Sequence, residues 1–253
     1  MVERTGAGDP GRTLQLLWRH KLGEPSAQRG PRKSLSIDQI VDAAIALADS
    51  DGLAAVTMRR LADSLGVSAM SMYTYVPGKA ELLDLMLDRL FQRMPRVPLE
   101  GLPWRERVTL VAAQNRELYR EHPWAMRVST NRLPLGPGLI AKFEHEVGAF
   151  LGLGLDDVHL EKALTLVLDF VQATTRTEVE AQAAQRDSAT TDEQWWRANE
   201  TLLAEVFDPA EYPNTFRVSE SAGAERLAAQ NADHNYEFGL QRILDGLAAL
   251  IEG

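Results

Sequence analysis

The chain has no cysteine. Disulfides and thiolate metal sites are therefore excluded, and the composition fits a reducing cytoplasm. No run approaches the roughly 20 apolar residues that a membrane span requires. The opening MVERTGAGDPGRT lacks the apolar stretch of a secretory signal. A soluble, cytoplasmic protein with no membrane partner is expected. Catalytic signatures are also missing. None of His20, His122, His145, His159 and His234 belongs to an H-E-x-x-H helix or to a pair at metal-ligand spacing. There is no G-x-S-x-G and no P-loop. No catalytic residue, metal or cofactor is nominated, and an all-α enzyme is the weakest of the readings. No alternating pattern of strand length and no internal repeat is present.

Apolar residues make up 45% of the 253, enough for a sizeable core. The periodicity is helical throughout, so an all-α fold is expected. Net charge is −9, but its distribution is uneven. Residues 1–34 hold seven basic and three acidic side chains, a net +4, whereas residues 95–253 carry 15 basic and 25 acidic ones, a net −10. A basic end suits a polyanion, and an acidic remainder limits non-specific association.

Residues 1–34 mix Gly, Pro, Arg and Ser with little period and are expected to form a flexible basic arm, apart from a short helical turn over 14–21. Ser36 and Gln39 form a capping-box pattern. Ile37, Ile40, Val41, Ala44, Ile45 and Ala48 follow at helical spacing up to Gly52. Thr57 is an N-cap for a second helix carrying Met58, Leu61, Ala62 and Leu65, which Gly66 breaks. Ser68 caps a third, short helix ending near Tyr75. Pro77-Gly78 turns the chain into a long apolar helix, closed by Pro95 and Pro98. Further helices are expected near 104–120, 137–151, 157–185, 192–206 and 234–252.

The segment TMRRLADSLGVSAMSMYTYVPGK, residues 57–79, is two short helices joined by a tight turn. Leu61 and Leu65 face inward, Gly66 supplies the turn, and Val67 fills the angle. The second helix is read as exposing Ser68, Ala69, Ser71, Tyr73 and Tyr75, flanked by Arg59, Arg60 and Lys79. This is the pattern of a helix-turn-helix, whose second helix enters the major groove while the first braces across the backbone. An ordinary helix–helix corner is the bland alternative. Small polar and aromatic residues on the exposed face and flanking cations tip the balance towards DNA.

Residues 36–91 resemble the DNA-binding domain of the TetR family of bacterial regulators. The likeness lies in IVDAAIALADSDGLAAVTMRRLADSLGVS, the aromatic pair of MYTYV, and Lys79-x-Glu81-Leu82-Leu83. It implies an N-terminal three-helix DNA-binding domain over 35–80 and a larger helical domain over 81–253 for ligand binding and dimerisation. It also implies that Thr57 caps the first motif helix beside a phosphate and that Arg59 reaches a guanine. Ala69, Met70, Tyr73 and Tyr75 would lie on the recognition helix, with Tyr73 and Lys79 on backbone phosphates. The family's namesake has Gln-Pro at the place of Ala69-Met70 and His at the place of Tyr75. These two apolar residues suit a thymine methyl, so the operator must differ.

Arg29, Arg32 and Lys33 precede the first helix of this domain. They read either as part of a solubilising tail or as an arm entering the adjacent minor groove. The chain resembles actinobacterial TetR-like regulators of antibiotic export, which have such extensions. His122-Pro123-Trp124 and Glu211-Tyr212-Pro213 add to that likeness.

The last helix carries Leu240, Ile243, Leu244 and Leu247 on one stripe, and an earlier one carries Leu164 and Leu168. Either stripe can be internal core. The resemblance of FGLQRILDGL to a helix of tetracycline repressors implies a homodimer, with these residues at its interface. Trp104, Trp124, Arg127, Asn131, Phe143, Phe170, Gln172, Thr174 and Arg176 are candidate ligand contacts, a few polar groups among apolar ones. The namesake's magnesium-binding histidine aligns with Ser129, which argues against tetracycline–magnesium. The expected function is that of a ligand-responsive repressor. A small hydrophobic or aromatic effector would release it from a palindromic, double-stranded operator. A DNA-binding regulator without an effector is the alternative.

Overall fold

The computed structural model describes residues 4–22, 35–128, 132–188, 192–228 and 232–252. Among these no β-strand occurs. The helices are α1 (Pro10–Leu17), α2 (Arg19–Leu22), α3 (Ile37–Asp51), α4 (Met58–Ser64), α5 (Ala69–Tyr75), α6 (Lys79–Arg93), α7 (Trp104–Glu121), α8 (Pro137–Gly148), α9 (Asp157–Asp187), α10 (Asp192–Val206), α11 (Pro213–Ala228) and α12 (Ala232–Ile251). Short 3₁₀ turns cover Leu53–Ala55 and Pro123–Arg127.

Local chemistry sets most of these boundaries. Ser36 and Gln39 close the expected capping box at α3: the Gln39 N–H donates to Ser36 Oγ at 3.1 Å, and the Ser36 N–H to Gln39 Oε1 at 2.9 Å. Gly52, at φ 80°, ends α3. The sequence reading contains no helix at 213–228, where α11 lies, because its apolar residues share no common face.

Two compact units make up the chain, Met1–Leu168 and Asp169–Gly253. The division between these compact units falls inside α9. α6 packs on both α3 and α8 and so merges the first helices with those that follow. The first unit has one continuous core. Ile40, Ala44, Leu61, Met72, Leu82 and Met86, all at most 1% exposed, are its centre. Each of the large ones contributes about 1.5–3 kcal/mol on burial.

The N-terminal residues are not the free arm the composition suggests. Leu16 and Leu17 are each 2% exposed and belong to the same core. Asp9 caps α1 by accepting the Arg12 N–H at 2.7 Å. Arg19, buried, pairs with Asp38 and donates to the Leu16 carbonyl at 2.8 Å. Four apolar positions in LQLLW are too few for periodicity to reveal a docked helix, whereas Leu16 and Leu17 suffice to bury one. Arg29, Arg32 and Lys33 lie outside the described residues.

Candidate nucleic-acid interface and effector region

Thr57 Oγ1 accepts the Arg60 N–H at 3.2 Å and starts α4. The helix ends in a Schellman motif: the Val67 N–H reaches the Ala62 carbonyl at 3.0 Å and the Gly66 N–H reaches that of Asp63 at 3.3 Å. Gly66 has φ 67°, and nothing lies within 4 Å of the Cβ it lacks. Glycine is required there for its backbone, not for space. Ser68 Oγ then accepts the Ser71 N–H at 3.1 Å and starts α5. Met72 and Val76, both 0% exposed, fix α5 in the core.

With Met72 turned inward, the outer face of α5 consists of Ala69, Met70, Tyr73 and Thr74, all exposed. Met70, at its centre, is 79% exposed. Thr74, whose Oγ1 donates to the Ser71 carbonyl at 2.6 Å, is absent from the sequence-based candidates. Its spacing, one residue after Tyr73 and four after Met70, was the signal for it. Tyr75 differs from expectation. It is half-buried and packs on the core, so its ring is committed to holding α5. Ser68 and Ser71 share a 3.0 Å hydroxyl contact at the start of the helix.

The two arginines of α4 separate clearly. Arg60 pairs with Asp51, whose pKa is lowered by the Ser50 hydroxyl first and then by Arg60. Arg59 is exposed and makes no hydrogen bond or ion pair among the described residues. Its guanidinium is available for two hydrogen bonds to one base edge, the geometry that reads guanine. Lys79 is half-buried at the start of α6.

The candidate ligand contacts in the first unit do not surround one cavity. Trp124 is buried, and its indole Nε1–H donates to Asp49 Oδ1 at 2.7 Å. His122 Nδ1 lies 2.8 Å from the same oxygen. The His-Pro-Trp turn is therefore a tie between the turn after α7 and α3, and the polar edge of Trp124 is taken up by that tie. Arg127 and Phe143 are exposed. Trp104 is half-buried at the start of α7, with the Arg105 guanidinium 5.0 Å from its ring centre. Asn131 lies outside the described residues. In the second unit, Phe170 stacks on Tyr236 at 5.7 Å. Thr174 returns its hydroxyl to the Phe170 carbonyl at 2.8 Å. Gln172 is half-buried and Arg176 exposed.

The polar chemistry inside the first unit lies elsewhere. Asn115 and Glu146, each 1% exposed, are joined by the Asn115 amide donating to Glu146 Oε1 at 2.6 Å. The Lys142 ammonium donates to the same oxygen at 2.6 Å. Asn115 Oδ1 is buried without a donor. Polar residues at core positions of α7 and α8 break the apolar period, so they read as surface in the sequence. An open cavity of about 330 Å³ is lined by Arg96, Leu99, Glu100, Arg107, Glu144 and His145, among others. None of the expected ligand contacts lines it. Burial first, then Arg96, lowers the His145 pKa, while Glu146 opposes the change. This imidazole contacts Gln114 Oε1 at 2.9 Å.

The expected dimer residues also need correction. Leu164, Leu240, Leu244 and Leu247 are buried, and Leu168 and Ile243 half-buried, within the single chain. A helical stripe shows that a face is covered, not what covers it. Among the exposed positions of α12, Phe238, Arg242, Gly246 and Leu250 recur four apart and share one face. Gly239 is taken up inside the unit, where a Cβ would overlap the Phe170 ring, but nothing lies within 4 Å of a Cβ at Gly246.

Among the described residues no helix is long and apolar enough to cross a membrane. Comparison with known proteins matches residues 40–86 to the family described as bacterial regulatory proteins, tetR family. Residues 97–251 match the tetracyclin repressor-like C-terminal domain. The HTH-type transcriptional repressor DrrR1 of Streptomyces coeruleorubidus is 40% identical over 252 residues, covering 99% of this chain and 90% of that protein. The TetR family protein ActR of Streptomyces coelicolor, in complex with actinorhodin, superposes with a TM-score of 0.70 at 27% identity. That likeness covers 86% of this chain and 98% of ActR.

Proposed function

The chain belongs to the TetR family of DNA-binding transcriptional regulators, and from that premise we propose a homodimeric, cytoplasmic repressor that binds a palindromic operator and is released by a small hydrophobic or aromatic molecule. The observation that carries the DNA half is the outer face of α5, with the exposed Arg59 beside it. Met70 and Ala69 offer apolar contact to thymine methyls, Arg59 a bidentate contact to guanine, and Tyr73, Thr74 and Lys79 contacts to phosphates. Thr57 and Ser68, whose hydroxyls cap α4 and α5, stand at helix N-termini, where backbone amides favour phosphate.

The exposed face of α12 through Phe238, Gly246 and Leu250 is the proposed contact with a second copy. Two recognition helices held about 34–36 Å apart would read two half-sites in successive major grooves. The effector half is supported by ActR, a TetR family protein with a solved complex with actinorhodin. A second reading, a regulator without an effector, is favoured by the scatter of the candidate ligand contacts between core, surface and intramolecular bonds.

Selection of sites from random duplex DNA tests the proposal. An inverted repeat should be enriched, and aromatic polyketide-like compounds should displace it. Enrichment of a single half-site would contradict the dimer. Failure of every such compound on a well-bound operator would favour the second reading.

A further inference from the structure

α6 carries three buried carboxylates on one face, Glu81, Asp84 and Asp88, 7%, 0% and 6% exposed. Carboxylates at such depth need hydrogen-bond donors. Each finds backbone amides from another part of the chain. Glu81 Oε1 accepts the Asp9 N–H at 3.2 Å. Both oxygens of Asp84 accept the Gly6 N–H, at 3.0 and 3.2 Å. Asp88 Oδ1 accepts the Leu139 N–H at 2.9 Å, and the Gly138 amide also bonds this carboxylate. α8 has no capping side chain of its own. Asp88 serves as its cap from a neighbouring helix.

The N-terminal segment completes the arrangement by binding the stretch that leads into α8. Trp18 Nε1–H donates to the Leu135 carbonyl at 2.9 Å. Thr5 Oγ1 donates to the Arg132 carbonyl, and Arg132 returns a bond to the Gly6 carbonyl at 3.4 Å. The fit is close. A Cβ at Gly8 would overlap the Glu81 carboxylate, one at Gly136 that of Asp88, and one at Gly138 the Asp88 main chain. α6 begins four residues after α5 ends, so its seat sets the placement of the recognition helix.

We propose that residues 5–19 are a positioning strap, which locks α6 onto the start of α8 through Glu81, Asp84 and Asp88 and thereby fixes how α5 is presented to DNA. The link to DNA rests on the function proposed above; the locking of α6 to α8 does not. The strap binds protein with the residues before the basic cluster, so it acts in the free protein, without DNA or effector.

The test is amide hydrogen exchange on the full-length chain, comparing the parent with the double variant Gly8→Ala, Trp18→Phe. The first change pushes Glu81 away and the second deletes the bond to Leu135, while Leu16 and Leu17 stay in the core. Exchange should quicken by about tenfold or more, through local opening, both within the strap and at 135–141 and 79–93. On a selected operator the same variant should show affinity altered at least about threefold, with Arg59 and Tyr73 intact. An Asp84→Asn variant, which keeps an acceptor for the Gly6 N–H, should not speed exchange in the strap, at 135–141 or at 79–93. Faster exchange confined to 5–19 would overturn the strap, as would unchanged operator affinity in a variant whose loosening has spread. If the parent selects no operator, the DNA reading fails, and the exchange result still decides the locking of α6.

Discussion

A single arginine separates reading from holding at the proposed interface. Arg59 has no partner among the described residues, whereas Arg60 is engaged with Asp51. Arg59→Ala should therefore relax preference at one base pair of each half-site, at about 1–3 kcal/mol of discrimination. Tyr73→Phe and Lys79→Ala should weaken binding to all sequences alike. Titrations on operators varied at one position distinguish these outcomes, and an equal loss on every sequence for Arg59→Ala would make it a phosphate contact. At the same scale, burial pushes the carboxyls of Asp84 and Asp88 up to about 6 from an ordinary 3.8, against the backbone amides that hold them. Glu81 adds to the rise at Asp84, and Arg19 opposes it at Asp88. The folded chain then binds these protons more tightly than the unfolded chain does. The cost of the buried charges is full above pH about 6 and is relieved as pH falls from there towards 3.8. Urea unfolding at a series of pH values should show Asp84→Asn gaining stability over the parent at pH 7.5 and losing that advantage near pH 5. A pH-independent difference would show that the carboxyl does not titrate in this range.

The short helices of the motif depend on few residues each. Met72 is the fully buried side chain of α5. Met72→Ala should cost about 2–5 kcal/mol and free the recognition helix. Gly66→Ala, which forces a side chain into the left-handed region, should cost roughly 1–2 kcal/mol. Thermal unfolding of both variants checks the order. These elements were legible in the sequence because capping hydroxyls, a turn glycine and apolar spacing all agree on them. The same holds for α7, α9 and α12, whose long stripes leave little choice. What escaped was of another kind. α1 is held by Leu16 and Leu17 and by amides that reach Glu81 and Asp84 from 72 and 78 residues away in sequence. No local pattern records such pairings. Tyr75 reads as exposed because an aromatic at a helix end suits either side. Trp124 reads as a ligand contact because its partner, Asp49, is 75 residues away.

For the molecule as a whole, the distinction between core and interface decides the assembly. Leu240, Leu244 and Leu247 are buried within the chain itself, and the proposed contact with a second copy is the exposed stripe of Phe238, Gly246 and Leu250. Leu250→Glu places a charge on that face and should convert a dimer to monomers in sedimentation at micromolar concentration. Leu244→Ala should instead destabilise the fold. Equal sedimentation of the Leu250→Glu variant and the parent would place the dimer contact elsewhere. Such monomers would also lose the paired half-sites and bind DNA far more weakly. The central claim, that the outer face of α5 and Arg59 read DNA as a symmetric pair, is tested most directly by footprinting the purified protein on the DNA flanking its own gene. The predicted result is a protected inverted repeat, lost at each half-site in the Tyr73 and Lys79 variants. No protection at low salt, from protein shown to be folded, would contradict the claim.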